Sequence, residues 1–264
     1  MKNKAFLLDM DGVIYREDHL IEGAAHFITL LIETNIPFIF LTNNSAPTPG
    51  DLAVKLAHLG IKGVSHRHFY TSAMNTADFL RETHPNCTAF VLGEGGLGSA
   101  LQEARIPNDA ISPDYVVVGE GNPSSEKIAK AHELIERGAR LIATNPDTWC
   151  PVSSRKTRPG AGALATYLES STGKACYYLG KPNPYMFSRA RTRLLGSRSS
   201  GREVVMIGDT MGTDIRGAIE SGMQAYLVLS GSTSAEELRE YVYQPTRVLE
   251  NIGSLLVPEA MTGG

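Results

Sequence analysis

Two aspartates stand where an apolar run stops. In FLLDMDGVIY, residues 6–15, Asp9 and Asp11 follow Ala5–Leu8, and Gly12 opens the chain beyond them. Residues i and i+2 of an extended chain share a side, so both carboxylates can face one pocket. Carboxylates placed together either share a proton or gather a cation. Hard oxygen ligands of this kind suit Mg²⁺. Asp209, in VVMIGDT, could complete such a site from a neighbouring strand, with Asp214 ligating through water or orienting the others. An Asx turn at Asp9 and Asp11 and an N-cap at Asp214 are the plain structural alternatives.

Two further clusters carry complementary groups. Thr42, Asn43 and Asn44 in TNNS offer a hydroxyl, two amides and loop N–H groups to phosphate oxygens. Lys181, in GKP, supplies a compact cation. One carboxylate nucleophile, a second carboxylate, a cation site, neutral donors and a lysine are the parts of phosphoryl transfer through an aspartyl-phosphate. In that chemistry Asp9 attacks phosphorus, and Asp11 protonates the leaving alkoxide and then activates water.

The elements that must position these groups read as an alternation. Strands are expected at Ala5–Leu8, Phe38–Leu41, Ala89–Leu92, Tyr115–Val118, Leu141–Ala143, Tyr177–Leu179, Val204–Ile207 and Ala225–Leu229. They are continuously apolar, as strands covered on both faces should be. Amphipathic stretches lie between them, among them Ala24–Thr34, Glu126–Arg137, Pro184–Leu195, Asp214–Ser221 and Ala235–Tyr241. This is the signature of an α/β fold with parallel sheet. All four polar clusters follow strand ends, where open α/β sheets bind ligands.

Composition narrows the class. The chain has 264 residues, 42% hydrophobic and 20% charged, with a net charge of −3. That balance argues against a nucleic-acid or anionic-membrane partner, both of which call for basic surface. Asp9 and Asp11 interrupt the N-terminal apolar run, which therefore does not read as a signal peptide. Three cysteines without a CxxC pattern and seven histidines without metal-ligand spacing fit a reducing cytoplasm and no zinc site.

DMDGVIY, TNNS, GKPNP and GDTMGTD, in that order, resemble the four motifs of the haloacid dehalogenase (HAD) superfamily of phosphatases, and more closely its NagD-like branch. Similarity runs nearly end to end and includes GKPNPYMF and ATNPDT. The resemblance implies a Rossmann-like parallel-sheet core, residues 1–82 and 180–264, with a second, inserted α/β cap domain over 83–179. It implies that Asp9 is the nucleophile and Asp11 the acid/base. Mg²⁺ would be held by Asp9, the backbone carbonyl of Asp11 and Asp209, with Asp214 in support. Thr42, Asn43, Asn44 and Lys181 would bind phosphate. Because dehalogenase members lack the second aspartate, Asp11 favours a phosphatase.

On the same resemblance the substrate is a small phosphorylated metabolite, a nucleoside monophosphate such as UMP first, with phosphoglycolate, sugar phosphates and pyridoxal phosphate as alternatives. A phosphate-ester binding protein without turnover is the non-enzymatic alternative, and a homo-oligomer through the cap is compatible with the resemblance. A phosphoaspartate receiver domain is about half this length and lacks DxDG. Residues 143–164, with Asn145, Asp147, Trp149 and Arg158, are expected to be the specificity loop. Pyridoxal phosphatases of this kind often carry a histidine where Cys150 stands, which lowers that substrate in the ranking. Cys150 itself reads as an inert small residue. GEGGLGSAL, residues 93–101, reads as a tight strand-to-helix turn rather than a nucleotide loop.

Overall fold

The computed structural model describes residues 3–153, 156–196 and 201–256. In chain order the strands are β1 (Lys4–Leu8), β2 (Tyr15–Arg16), β3 (His19–Leu20), β4 (Phe38–Thr42), β5 (Phe69–Thr71), β6 (Ala89–Leu92), β7 (Tyr115–Val118), β8 (Arg140–Ala143), β9 (Trp149–Ser153), β10 (Lys156–Pro159), β11 (Cys176–Tyr178), β12 (Glu203–Gly208), β13 (Gln224–Val228) and β14 (Arg247–Leu249). The α-helices are α1 (Ala24–Glu33), α2 (Pro49–His58), α3 (Ser72–Thr83), α4 (Gly95–Glu103), α5 (Ser125–Glu136), α6 (Ala161–Thr172), α7 (Pro184–Leu195) and α8 (Arg216–Glu220).

The chain divides into two compact units. The first comprises residues 1–41, 53–69 and 187–264; the second comprises 42–52 and 70–186. Each carries an α/β sheet. In the first unit the strand order is β14-β13-β12-β1-β4-β5, and β1 runs parallel to both β12 and β4. From β1 the chain proceeds towards β4, whereas from β12 it proceeds towards β13. The order therefore reverses between β1 and β12, and the crevice at their carboxyl ends is the place where such a sheet binds ligand. β1 and β4 are buried along almost their whole length. Residues such as Leu7 and Phe40 each contribute roughly 1.5–3 kcal/mol by leaving water. α1 lays Phe27 edge-to-face on Phe6 of β1, ring centres 5.5 Å apart.

The second unit is a three-layer sandwich around the sheet β11-β8-β7-β6, with parallel pairings throughout. Alternation along β7 divides its core in two. Tyr115 and Val117 pack with Ala77 and Leu80 of α3 and Leu97 and Leu101 of α4. Val116 and Val118 pack with Leu134 of α5 and Ala165 of α6. This period-2 split is what a strand covered on both faces must do.

Three pieces depart from the sequence reading. Residues 149–159 are a two-stranded antiparallel hairpin, β9–β10, rather than a plain loop; Ser154 and Arg155 within it lie outside the described residues. The stretch expected as one helix from Asp214 opens with a π turn, Met211–Ile215, before α8. The helix expected over Ala235–Tyr241 is a 3₁₀ turn, Glu237–Glu240. GEGGLGSAL is the strand-to-helix turn expected, and Gly96 donates its N–H to the Ala46 carbonyl, 2.8 Å. Among the described residues no helix is long and apolar enough to cross a membrane.

Candidate active site

Asp9 follows the last residue of β1, and its N–H is tied to Ile207 O of β12 at 2.9 Å. The next residues make a tight turn, in which the Met10 carbonyl accepts from Val13, Ile14 and Tyr15 N–H groups. Gly12 adopts φ +76°, a left-handed conformation that costs a side-chain-bearing residue about 1–2 kcal/mol. Asp11, exposed, bridges to Tyr15. Burial, then the charges of Asp11 and Asp9, drive the Tyr15 phenol pKa far up.

Asp209 directly follows β12, and Asp214 lies in the π turn after it. Asp209 Oδ2 accepts the Ser232 N–H at 2.6 Å, and its Oδ1 accepts the Thr210 hydroxyl at 3.0 Å. Asp214, fully buried, accepts the Thr210 N–H at 3.2 Å. Burial and then the charge of Asp9 push the Asp209 carboxyl above the usual carboxylate range. Asp9, Asp209 and Asp214 each offer an oxygen, all within 4.8 Å of one another. Glycines make room: a Cβ on Gly231 would collide with Asp209, and one on Gly208 with Asp214. The side chain of Asp11 is outside this group of three.

The second unit gathers the other predicted residues. Asn43 and Lys181 clasp each other: Lys181 N donates to Asn43 Oδ1 at 2.7 Å, and Asn43 Nδ2 donates to Lys181 O at 3.1 Å. The other Asn43 amide hydrogen goes to Asp147 Oδ2, 3.1 Å. Gly180 allows this approach, since a Cβ there would stand 2.6 Å from Asn43 Oδ1. Lys181 is only 2% exposed. Thr42 ends β4, and its hydroxyl accepts the Asn44 N–H at 3.1 Å. Asn44 closes an Asx turn, its Oδ1 accepting the Ala46 N–H at 3.1 Å. Burial raises the Asp147 carboxyl pKa, against the lowering effects of Asn43 and Lys181.

Glu120 is the functional candidate that reading by motif missed. It is 1% exposed and directly follows the β7 strand end and Gly119. The rule that singled out the four clusters, polar residues beyond the carboxyl end of a parallel strand, applies equally to it. Its Oε2 accepts the Cys150 thiol at 2.8 Å, so Cys150 is a hydrogen-bond donor and more than filler.

Two family models match: haloacid dehalogenase-like hydrolase over residues 6–107 and HAD-hydrolase-like over 178–255. The chain is 41% identical over 255 residues to a dihydroxyacetone phosphatase of Corynebacterium glutamicum, covering 96% of this chain and 90% of that protein. It is 38% identical to an acid sugar phosphatase of Staphylococcus haemolyticus, over 93% of both chains. Among solved structures, NagD from Escherichia coli K-12 superimposes with a TM-score of 0.86 at 34% identity, covering 96% of this chain and 98% of that one. A 4-nitrophenylphosphatase from Thermotoga maritima gives 0.87 at 33%, over 96% of both. With these relatives matched along nearly their whole length, the chain belongs to the haloacid dehalogenase-like hydrolases, in their NagD-like branch.

Proposed function

We propose that this hydrolase is a Mg²⁺-dependent phosphatase that cleaves small phosphomonoesters through an aspartyl-phosphate on Asp9. The observation that carries the reading is the meeting of Asp9, Asp209 and Asp214 at the switch point between β1 and β12. Three buried or half-buried carboxylates in reach of one point repel unless a cation or protons join them. Their hard oxygens suit Mg²⁺, with the Asp11 carbonyl as a further ligand. When bound, the cation spreads the charge of the phosphoryl oxygens.

The residues then divide the work. Asp9 Oδ attacks phosphorus, and the bond from phosphorus to the ester oxygen breaks. Asp11, exposed and on the same turn, gives its proton to the departing alkoxide. It then takes a proton from water as that water attacks the aspartyl-phosphate, which releases inorganic phosphate and restores Asp9. Thr42, the Asn43–Asn44 loop and Lys181 are assigned to the phosphoryl oxygens. Asn43 does this through its hold on Lys181 more than through its own amide, whose hydrogens are engaged. Residues 83–179 are read as the cap that selects the leaving group. Two relatives are named as dihydroxyacetone and acid sugar phosphatases, and that supports reading small sugar phosphates ahead of nucleoside monophosphates as substrates. The reaction is assigned to the cytoplasm.

The test is phosphate release from dihydroxyacetone phosphate, sugar phosphates, UMP, phosphoglycolate, pyridoxal phosphate and 4-nitrophenyl phosphate. It is run with Mg²⁺, with EDTA, and with Asp9→Asn. Release that needs Mg²⁺ and falls by about 10³-fold or more in Asp9→Asn is expected. A folded, Mg²⁺-loaded protein that releases phosphate from none of them would favour the binding-protein reading.

A further inference from the structure

The second unit contains a chain of buried hydrogen bonds that runs from the hairpin to the phosphate-binding candidates. Glu120 stands at its centre. Its Oε1 accepts from Asn145 Nδ2 at 3.1 Å and from the Ala161 N–H, the first of α6, at 3.3 Å. Its Oε2 accepts the Cys150 thiol at 2.8 Å and lies 3.9 Å from the Arg158 guanidinium, which also pairs with Glu94 at 3.0 Å. Cys150 and Arg158 face each other across the β9–β10 pairing, so one carboxylate grips both strands of the hairpin. Gly160 gives α6 no side-chain cap, and the distant Glu120 supplies an anion at that positive helix end.

Asn145, fully buried, carries the chain onward. Its other amide hydrogen goes to the Asn43 carbonyl at 2.7 Å, and its Oδ1 accepts the Asp147 N–H at 3.0 Å. Asn43 in turn holds Lys181 by two hydrogen bonds. The route Arg158/Cys150–Glu120–Asn145–Asn43–Lys181 has a partner at every step, and a half-broken buried network of this kind costs more than its separate bonds suggest.

We propose that Glu120 and Asn145 are positioning residues that fix Asn43 and Lys181 for phosphate and couple them to the β9–β10 hairpin. This rests on the phosphatase reading for what Lys181 binds. A carboxylate is needed here because only an acceptor-rich group can serve an amide, a backbone N–H, a thiol and a guanidinium at once. Touching neither phosphate nor cation, the two residues act through Asn43.

The test uses the full chain with Mg²⁺ and reads three quantities. These are the Kd of inorganic phosphate by calorimetry, KM and kcat for 4-nitrophenyl phosphate, and the melting temperature. Asn145→Ala is expected to weaken phosphate about tenfold and raise KM in step, and Glu120→Ala to weaken it about threefold to tenfold. Glu120→Gln keeps an acceptor for Asn145 and Ala161 and is expected to recover most of the Glu120→Ala loss in phosphate Kd. If Glu120→Ala does not fold, Asn145→Ala decides on the same readouts. Lower melting temperatures with phosphate Kd and KM at wild-type values would overturn the proposal, since purely structural residues would give that pattern. Calorimetry reads phosphate without turnover. A wild type that binds phosphate but hydrolyses nothing would sink the phosphatase reading and leave this inference standing.

Discussion

Gly12 and Asp209 are packed so closely that a Cβ on the glycine would stand 2.5 Å from the Asp209 Oδ2. The turn that presents Asp9 and Asp11 is thus seated directly against the third carboxylate. Gly12→Ala combines that collision with a φ of +76°. It is expected to destabilise the protein by about 2 kcal/mol or more and to cut Mg²⁺-dependent phosphate release at least about tenfold. Gly60→Ala is the control, with φ +97° but nothing within 4 Å of its added Cβ. It should lose stability alone, as thermal melts and rate assays on both variants would tell.

Asp214 is the most buried member of the cluster, and its Oδ2 accepts the Thr210 N–H. Asp214→Asn is expected to raise the Mg²⁺ concentration for half-maximal activity about 10- to 100-fold, with less effect on the rate at saturating Mg²⁺. A magnesium titration of phosphate release checks it. An unchanged half-point would remove Asp214 from the cation site.

Asp147 gives a pH dependence whose sign is fixed by burial. Its folded-state pKa lies above that of the unfolded chain. Ionising it in the folded protein therefore costs stability. That cost is absent below the unfolded pKa, grows as pH rises through the carboxylate range, and is complete above the folded pKa. Asp147→Asn keeps an acceptor for Asn43. It is expected to melt above wild type at neutral pH, with the gap closing towards about pH 4. Melting curves of both proteins across that range decide; a gap that widens on acidification would reverse the assignment.

The thiols should be unreactive. Burial pushes the Cys176 thiol up to about 12 and the Cys150 thiol higher still, with the Glu120 carboxylate adding to the latter. Cys87 is buried in the second unit, and burial raises its pKa as well. Native protein at about pH 8 is expected to take up iodoacetamide at least about tenfold more slowly than free cysteine. Mass spectrometry over time measures this, and rapid labelling of Cys150 would mean that its bond to Glu120 opens in solution.

Strands buried on both faces were legible because nothing polar interrupts them: Tyr115–Val118 and Ala89–Leu92 match β7 and β6 to the residue. Three-residue strands such as β5 and β14 are too short to display a period, and β14 carries an arginine and an exposed valine besides. The β9–β10 hairpin hid behind Pro151 and Pro159, which argue against a strand in any sequence reading. At the site, Asp9 and Asp209 announced themselves by lying just past strand ends, and Asp214 by opening the helix-like stretch that follows. Asn43 was legible as a polar residue beyond a strand end but not as the clasp on Lys181, because a contact across 138 residues leaves no local trace. Glu120 was passed over for want of a motif.

The π turn at Met211–Ile215 has a consequence for how this chain can tolerate length changes. Ile215 N–H reaches back to Thr210 O, five residues earlier, and Asp214 N–H shares the same carbonyl. Such a wide turn holds one residue more than the α-helix that would otherwise occupy the space. Deleting a single residue there, Gly212 for instance, would let the turn tighten into regular α-helix. Each residue of an α-helix turns by about 100°, so Asp214 and α8, which both follow the deletion, would turn together and Asp214 would swing away from Asp9 and Asp209. Deletion of one half-buried glycine would thus disarm the carboxylate cluster without touching an acidic residue.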